Sequence, residues 1–536
     1  MPSIQNMTIE NILEKFKEVN ILSQEGDLIL TQVSRNDLAA VATKLVEKYK
    51  LPLALLFGTD NRKDPAESEA DHGAGKNSFG VHVIFSLDKE NKWLKLSAEI
   101  PADDAQYPAL TETIMATHWY ERYLQDMFGI IPVGHPDLRR LVHHENISEN
   151  THPLLKDFIW NTKLPKDNVP YPMNHVAGEG VFEIPVGPIH AGIIEPGHFR
   201  FNVAGERILT LEGKLFFTHK GVEKLMEGKT VSEALPFIER LSGDASASHA
   251  LAYAQAIEKI SSCKVSQRAQ IIRMIIAECE RITMHVHDLA NIGGMGTGYS
   301  FIAANGFRIK ERMMRLSQEI CGNRFWRGMI IPGGLSRDLS QDELNKILKV
   351  ASEVWQEINK IVVIALDSEG FLDRLQYTGE LPKEAALAFG AVGLPARASM
   401  VDRDVRRDHP YAAYKKFPIR VVTKKSQDVF ARYRMRIKEI EQTIILLDTL
   451  VKNIKEGAVF NKVEIKDGFN IGVVESWRGE IICALQIKNG VVDRCFPRDP
   501  SFCNWALFGI MGPGNIVPDF PLINKSLNLS YSGNDM

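Results

Sequence analysis

The chain has 536 residues, with 64 basic and 67 acidic side chains, a net charge of −3, 44% hydrophobic and 24% charged residues. That balance is ordinary for a globular protein and gives no reason to expect nucleic acid, whose binding needs a concentrated basic surface. Met1 to Glu18 mixes Glu and Lys with apolar residues at helical spacing and does not read as a signal peptide, and no run reaches the roughly 18 apolar residues of a membrane-spanning helix.

Taken in chain order, Pro52–Phe57, Gly80–Ser86 and Trp93–Glu99 alternate as strands, which predicts a small α/β sheet domain over residues 1–160. Asp60 to Ser78 is rich in Gly, Asp, Glu, Ala and Lys and reads as a polar loop; Glu112 to Phe128 reads as a helix. A turn-rich stretch with Gly129, Pro132, Gly134 and Pro136 follows, and prolines at 165, 170 and 172 mark a linker over 161–178. The remainder, 179–536, begins strand-like to about Phe217 and turns helical to about Gly457. Apolar residues three and four apart predict long helices over Gln267–Asn291, Gly306–Cys321, Asp342–Asp367 and Asp428–Lys455. The apolar stretch Ile444–Val451 in the last of these is short and contains Asp448, so any membrane role would fall to another subunit. Glu480–Asn489 with Gly490 and Val491–Asp493 predicts a hairpin. The expected fold class is α+β, with the small N-terminal domain ahead of a mostly helical one.

The cysteines at 263, 279, 321, 483, 495 and 503 form no C-x-x-C pair and read as reduced packing thiols, with no spacing for an iron–sulfur or zinc site. His219 and Glu223 are four apart, which on a helix suits a local hydrogen bond better than a metal. Asp137, Arg139 and Arg140 read as local salt bridges and caps.

Several blocks carry a family resemblance. Trp119-Tyr120-Glu121-Arg122, Gly134-His135-Pro136-Asp137-Leu138-Arg139-Arg140-Leu141 and His152-Pro153-Leu154-Leu155-Lys156-Asp157-Phe158 occur in the order found in the thirty-kilodalton subunit of respiratory complex I, which they resemble. Gly187-Pro188-Ile189-His190, Glu195-Pro196-Gly197-His198-Phe199-Arg200, Glu280-Arg281, Pro332-Gly333-Gly334, Arg397-Ala398-Ser399 and the end Ser526 to Met536 resemble the nickel–iron hydrogenase large subunit and the forty-nine-kilodalton subunit of complex I. The fused order is similar to the large subunit of formate hydrogenlyase-type, group 4 hydrogenases.

The resemblance implies a metal site at R-x-C-G-x-C and at S-L-D-P-C-x-x-C, but Ser242, Ala245, Ser530 and Gly533 occupy the four cysteine positions. A hydroxyl, a methyl and a hydrogen are not the soft anionic sulfur that nickel takes here, so no hydrogenase activity and no C-terminal maturation are expected. By the same resemblance His198 falls near the quinone-facing histidine of complex I, although counting back from Arg200 puts Pro196 there, and Glu195 falls near a proton-passing glutamate. Gly243 stands where complex I has its quinone-binding tyrosine. Asp244 and His249 keep the cavity polar. Arg397 would project into it and would need a carboxylate partner, for which Asp402 and Glu195 are the candidates. Arg498-Asp499-Pro500-Ser501 reads as a structural block.

These features imply a peripheral subunit, on the inner face of the cell membrane, of a complex I-like assembly coupling electron transfer to ion translocation. Glu195, His198, Asp244, His249, Arg397 and Asp402 are the candidate catalytic residues. No cofactor is expected on this chain. The expected partners are a small iron–sulfur subunit of the complex I twenty-kilodalton type and membrane-embedded, antiporter-like subunits, with an NADH:quinone oxidoreductase-like or hydrogenase-like chemistry. A quinone-reducing subunit and a non-redox scaffold are the alternatives.

Overall fold

The computed structural model describes residues 8–62, 77–190 and 194–536, so most of the expected loop after Asp60 lies outside the described residues. Strands β1 (Asn20–Glu25), β2 (Leu28–Val33), β3 (Leu53–Asp60), β4 (Ser78–Leu87) and β5 (Lys92–Pro101) form one sheet in the order β1-β2-β5-β4-β3, with β2 and β5 parallel. The helix Leu38–Glu47 buries Leu38, Val41, Ala42 and Leu45, an apolar stripe at spacings of three and four. Short β6 (Gln106–Pro108) and β7 (Ile131–Val133) pair in parallel.

The helix expected from Glu112 starts only at His118 and runs to Phe128. The reason is Glu121, whose carboxylate accepts the backbone N–H of Leu110 at 2.8 Å and of Thr111 at 2.9 Å and holds that segment in a turn. Among the described residues, 161–178 contain no helix or strand. Arg139 pairs with Asp137 at 2.7 Å and Arg140 with Asp167 at 2.7 Å, the local ion pairs that the sequence suggests.

Beyond the linker, β8 (Val181–Val186), β9 (His198–Ala204) and β10 (Arg207–Lys214) form an antiparallel sheet, and β11 (Ile330–Ile331) pairs with β12 (Gly334–Leu335). Four long helices, Gln267–Asn291, Ser300–Cys321, Gln341–Leu366 and Val429–Asn453, pack each on the next in a closed ring. Three of the four starts carry side-chain N-caps: Ser266 accepts from Ala269 N at 3.1 Å, Ser340 from Glu343 N at 3.2 Å, and Asp428 from Ala431 N at 2.8 Å. The second helix begins six residues before the expected Gly306, because that glycine lies inside it as a packing site. A Cβ there would come within 2.5 Å of Ala290 Cβ on the neighbouring helix.

The last sheet is antiparallel, β13 (Gly468–Glu475), β14 (Glu480–Lys488) and β15 (Val491–Arg498), and its hairpin turns at Asn489 and Gly490, both at positive φ. It lies on the helix Ser246–Ile260 so closely that a Cβ on Gly472 would stand 1.7 Å from the Ala252 carbonyl oxygen. This sheet also meets the N-terminal one. Phe57 stacks with Phe469 and Phe496 at 5.8 and 6.3 Å, and Arg494 Nε donates to the Gly58 carbonyl at 2.9 Å. Among the described residues, no helix is long and apolar enough to cross a membrane.

Candidate functional site

The turn between β13 and β14 places Arg478 at the centre of the site. Gly393 and Gly479 allow this, both at positive φ, since a Cβ on Gly393 would meet the Gly479 Cα at 2.2 Å. The Arg478 guanidinium then reaches three segments at once. Its Nη2 donates to Asp244 Oδ2 at 2.8 Å, its Nη1 to Ser242 Oγ at 3.4 Å, and its Nε to the Asn528 carbonyl at 2.8 Å. Its guanidinium carbon lies 4.1 Å from the centre of the Trp477 ring, and the Trp477 indole donates to the Asp244 carbonyl at 3.0 Å.

Behind Arg478 lies a buried dyad. His249 Nε2 is 2.9 Å from Asp499 Oδ2, and Arg478 Nη1 is 4.0 Å from the same oxygen. Burial raises the Asp499 pKa, but the His249 hydrogen bond and the Arg478 charge outweigh it and hold the carboxyl well below its usual range. Asp499 also caps the short helix Pro500–Asn504 through Ser501 N at 2.8 Å. The block that reads as structural therefore does hold structure, and it also supplies the central acid.

Lys220 links the two halves of the implied metal motif. Its Nζ donates to the Leu241 carbonyl at 3.3 Å and to the Ser532 carbonyl at 3.1 Å. Glu195 accepts from Ser532 N at 3.0 Å, so it braces the C-terminal turn. His219 does not pair with Glu223. It precedes the helix Val222–Met226 and contacts the Asp535 carbonyl at 2.6 Å, while Glu223 binds Tyr123 and Arg494.

The other candidates separate. His198 contacts the Gly187 carbonyl at 3.1 Å, opposite Lys214 in the β9–β10 register; burial, with Arg200 and Lys214 nearby, lowers its pKa despite that bond. Arg397 is fully buried, and neither suggested partner binds it. It contacts Glu475 at 2.6 Å, Glu439 at 2.8 Å and Asp404 at 3.4 Å. Asp402, with 65% of its side chain exposed, pairs with Arg407 at 2.6 Å instead, because its chain segment turns outward before Asp404 turns in. Asp288 was not singled out by the sequence, yet it takes Arg436 at 2.7 Å and Asn528 Nδ2 at 2.6 Å, and burial pushes its pKa up to about 6.

The residues at the four implied ligand positions do not fit a nickel–iron centre. Ser530 Oγ accepts from Gly533 N at 2.9 Å as a helix cap, and Ser242 Oγ donates to Asp244 at 2.9 Å. A Cβ on residue 533 would stand 2.9 Å from Asp499 Cγ, which leaves no room for a thiolate on the present backbone. Among the described residues, no three His, Cys, Asp or Glu side chains are arranged to hold a metal ion.

Three family models match consecutive parts of the chain: the 30 Kd subunit of respiratory-chain NADH dehydrogenase over residues 31–163, nickel-dependent hydrogenase over 220–290, and the 49 Kd subunit over 296–467. Formate hydrogenlyase subunit 5 of Escherichia coli (strain K12) is 32% identical over 521 residues, 96% of this chain and 90% of that protein. Hydrogenase-4 component G of the same organism is 31% identical, covering 96% and 89%. An NADH-quinone oxidoreductase subunit of Clostridium beijerinckii is 29% identical over 64% of this chain and 94% of its own length. With this coverage, and the three segments in one polypeptide, the chain belongs to the family of formate hydrogenlyase subunit 5 and hydrogenase-4 component G.

Proposed function

We propose that this chain is the peripheral-arm large subunit of a complex I-like, hydrogenase-related oxidoreductase assembly at a membrane, and that it couples electron transfer to ion translocation without a nickel–iron centre. The observation that carries the reading is Arg478, which ties Ser242, Asp244 and Asn528 together where the family motif would place metal. Family membership supports the assembly, and the altered donor set supports a change of chemistry within it. Electrons would pass through an iron–sulfur cluster in a small partner subunit of the complex I twenty-kilodalton type, and the ion through membrane-embedded, antiporter-like partners. The attachment face would be the inner side of the membrane.

Within that reading the chain's own residues handle protons. His249 and Asp499 form a buried acid–base pair, and Asp244, with 28% of its side chain exposed, is the solvent-facing end of the same group. Glu195 positions the C-terminal turn. His198 and Asp402 have no part in this reading.

The test is to purify the intact complex and measure nickel, reduced-state spectra and hydrogen–deuterium exchange. Iron–sulfur signals without stoichiometric nickel or exchange are expected, and stoichiometric nickel would overturn the proposal. Asp244→Asn and His249→Ala should lower coupled turnover in the assembled complex. Unchanged turnover in both would favour the non-redox scaffold.

A further inference from the structure

A second buried ionic cluster lies beside the site, across Trp477. Arg281, on the helix Gln267–Asn291, donates to the Glu475 carbonyl at 2.6 Å and the Ser476 carbonyl at 3.0 Å, and pairs with Glu278 at 3.2 Å. Arg406 bridges Glu278 at 3.2 Å and Asp404 at 2.7 Å. Arg397 joins Asp404, Glu439 and Glu475. Every one of these seven side chains is 6% exposed or less.

The charges do not balance. Four carboxylates, Glu278, Asp404, Glu439 and Glu475, face three guanidiniums, Arg281, Arg397 and Arg406. The remaining titratable neighbours do not supply the missing charge. Arg436 is matched by Asp288, and Arg403 by Asp88 and Glu480. His285 contacts Glu439 through Nε2 at 2.8 Å, its Nδ1 has no hydrogen-bond partner among the described residues, and burial lowers its pKa to about 4, so its ring is neutral. Tyr411 and Tyr414 are held neutral by burial. An uncompensated buried charge is costly, so the cluster lowers its energy by keeping one proton on a carboxylate.

The hydrogen bonds identify which one. Glu278 receives Arg281, Arg406, Tyr414 at 2.6 Å and Thr443 at 2.7 Å. Asp404 is held two-pronged by Arg406, at 3.0 and 2.7 Å. Glu439 receives Arg397 and His285, with a second guanidinium, that of Arg281, at 3.5 Å. Glu475 receives one guanidinium nitrogen, which Asp404 also approaches, and a single backbone N–H, from Val405 at 3.2 Å. It is the least solvated as an anion. Its backbone N–H donates to Tyr411 Oη at 3.1 Å, and Tyr411 lines a cavity of about 650 Å³ between the N-terminal sheet and the helical domain, together with Trp93, Lys259 and His409.

We propose that Glu475 is a buried proton-loading site of this chain: its carboxyl releases one proton to solvent and recovers it from there, changing the cluster between neutral and singly negative. Burial first, and then repulsion from Asp404, push the Glu475 pKa up to about 7, which places the exchange in the neutral range. The inference concerns the protonation of this chain and holds whether or not the assembly is redox-active.

Infrared difference spectroscopy of the purified chain during a pH titration tests it directly. A protonated-carboxyl C=O band should disappear as pH rises through the neutral range and shift on deuteration; Glu280 and Asp288 titrate in the same range, so the Glu475 component is the part of the band that is lost in Glu475→Gln and kept in Glu280→Gln and Asp288→Asn. Asp404→Asn removes the nearest like charge and leaves Glu475 in place, so the midpoint should fall by about one pH unit or more. The second variant decides the matter if the first does not fold. An unchanged band in Glu475→Gln, or an unmoved midpoint in Asp404→Asn, overturns the assignment, as does the lack of any titrating carboxyl band in the wild-type chain.

Discussion

Asp499 Cγ stands 2.9 Å from the place a Cβ on Gly533 would take, while its Oδ2 lies 2.9 Å from His249 Nε2. The carboxylate thus fills the space beside one implied ligand position, and glycine is the residue that leaves room for it. Restoring thiols is therefore expected to fail. Gly533→Cys should destabilise the chain by about 1–3 kcal/mol through overpacking. The fourfold variant Ser242→Cys, Ala245→Cys, Ser530→Cys, Gly533→Cys should purify without stoichiometric nickel. Thermal melting and metal analysis check the two parts.

Removing the Arg478 charge should be severe. Arg478→Met leaves Asp244 without its cation and the Asn528 carbonyl without its donor, at a cost of about 3–5 kcal/mol. Arg478→Lys should recover only part, because one ammonium cannot reproduce a planar fork aimed at three acceptors. Denaturant midpoints of the two variants read the difference. Equal midpoints for wild type and Arg478→Met would show that the ion pair carries no net stability.

Glu280 gives a pH test with a defined sign. It is buried under the start of the helix Ser246–Ile260 and accepts Ala247 N at 2.8 Å and Ser248 N at 3.2 Å, yet burial raises its pKa from 4.5 to about 7. A carboxyl that binds its proton more tightly when folded adds stability below its unfolded pKa and loses it as pH rises through the folded one. Wild type should lose up to about 3 kcal/mol from this group between pH 4.5 and 7. Glu280→Gln should flatten that slope while keeping one acceptor for the helix N–H groups. Parallel stability curves for the two proteins would contradict the assignment.

Asp402 and Arg397 should behave in opposite ways. Asp402→Asn, at an exposed pair with Arg407, should change stability by no more than about 0.5 kcal/mol. Arg397→Met removes the guanidinium shared by three buried carboxylates and should cost about 3–5 kcal/mol. Chemical denaturation of both variants, side by side, checks the contrast.

Periodic patterns in the chain made much of the architecture legible. Apolar spacings of three and four marked the long helices because one helix face must be buried whatever it packs against, and Asn489-Gly490 marked the hairpin because its backbone needs positive φ. Motif order was enough to identify the family, and residue chemistry at 242, 245, 530 and 533 was enough to exclude thiolate ligands. Errors at helix starts came from tertiary contacts: Glu121 seizing the amides of Leu110 and Thr111, and Gly306 serving a helix crossing.

The pairing of buried charges was decided only by the folded chain. Arg397 and Glu475 are 78 positions apart, and His249 and Asp499 are 250 apart, so no local pattern links them. Asp402 and Asp404 look equivalent in sequence, yet one faces water and the other closes a buried ion pair, because the chain turns inward between them. Local spacing determines which residues can form an element and which of its faces must be covered. The balance of charge inside the core depends on which distant elements meet, and that is set by tertiary packing.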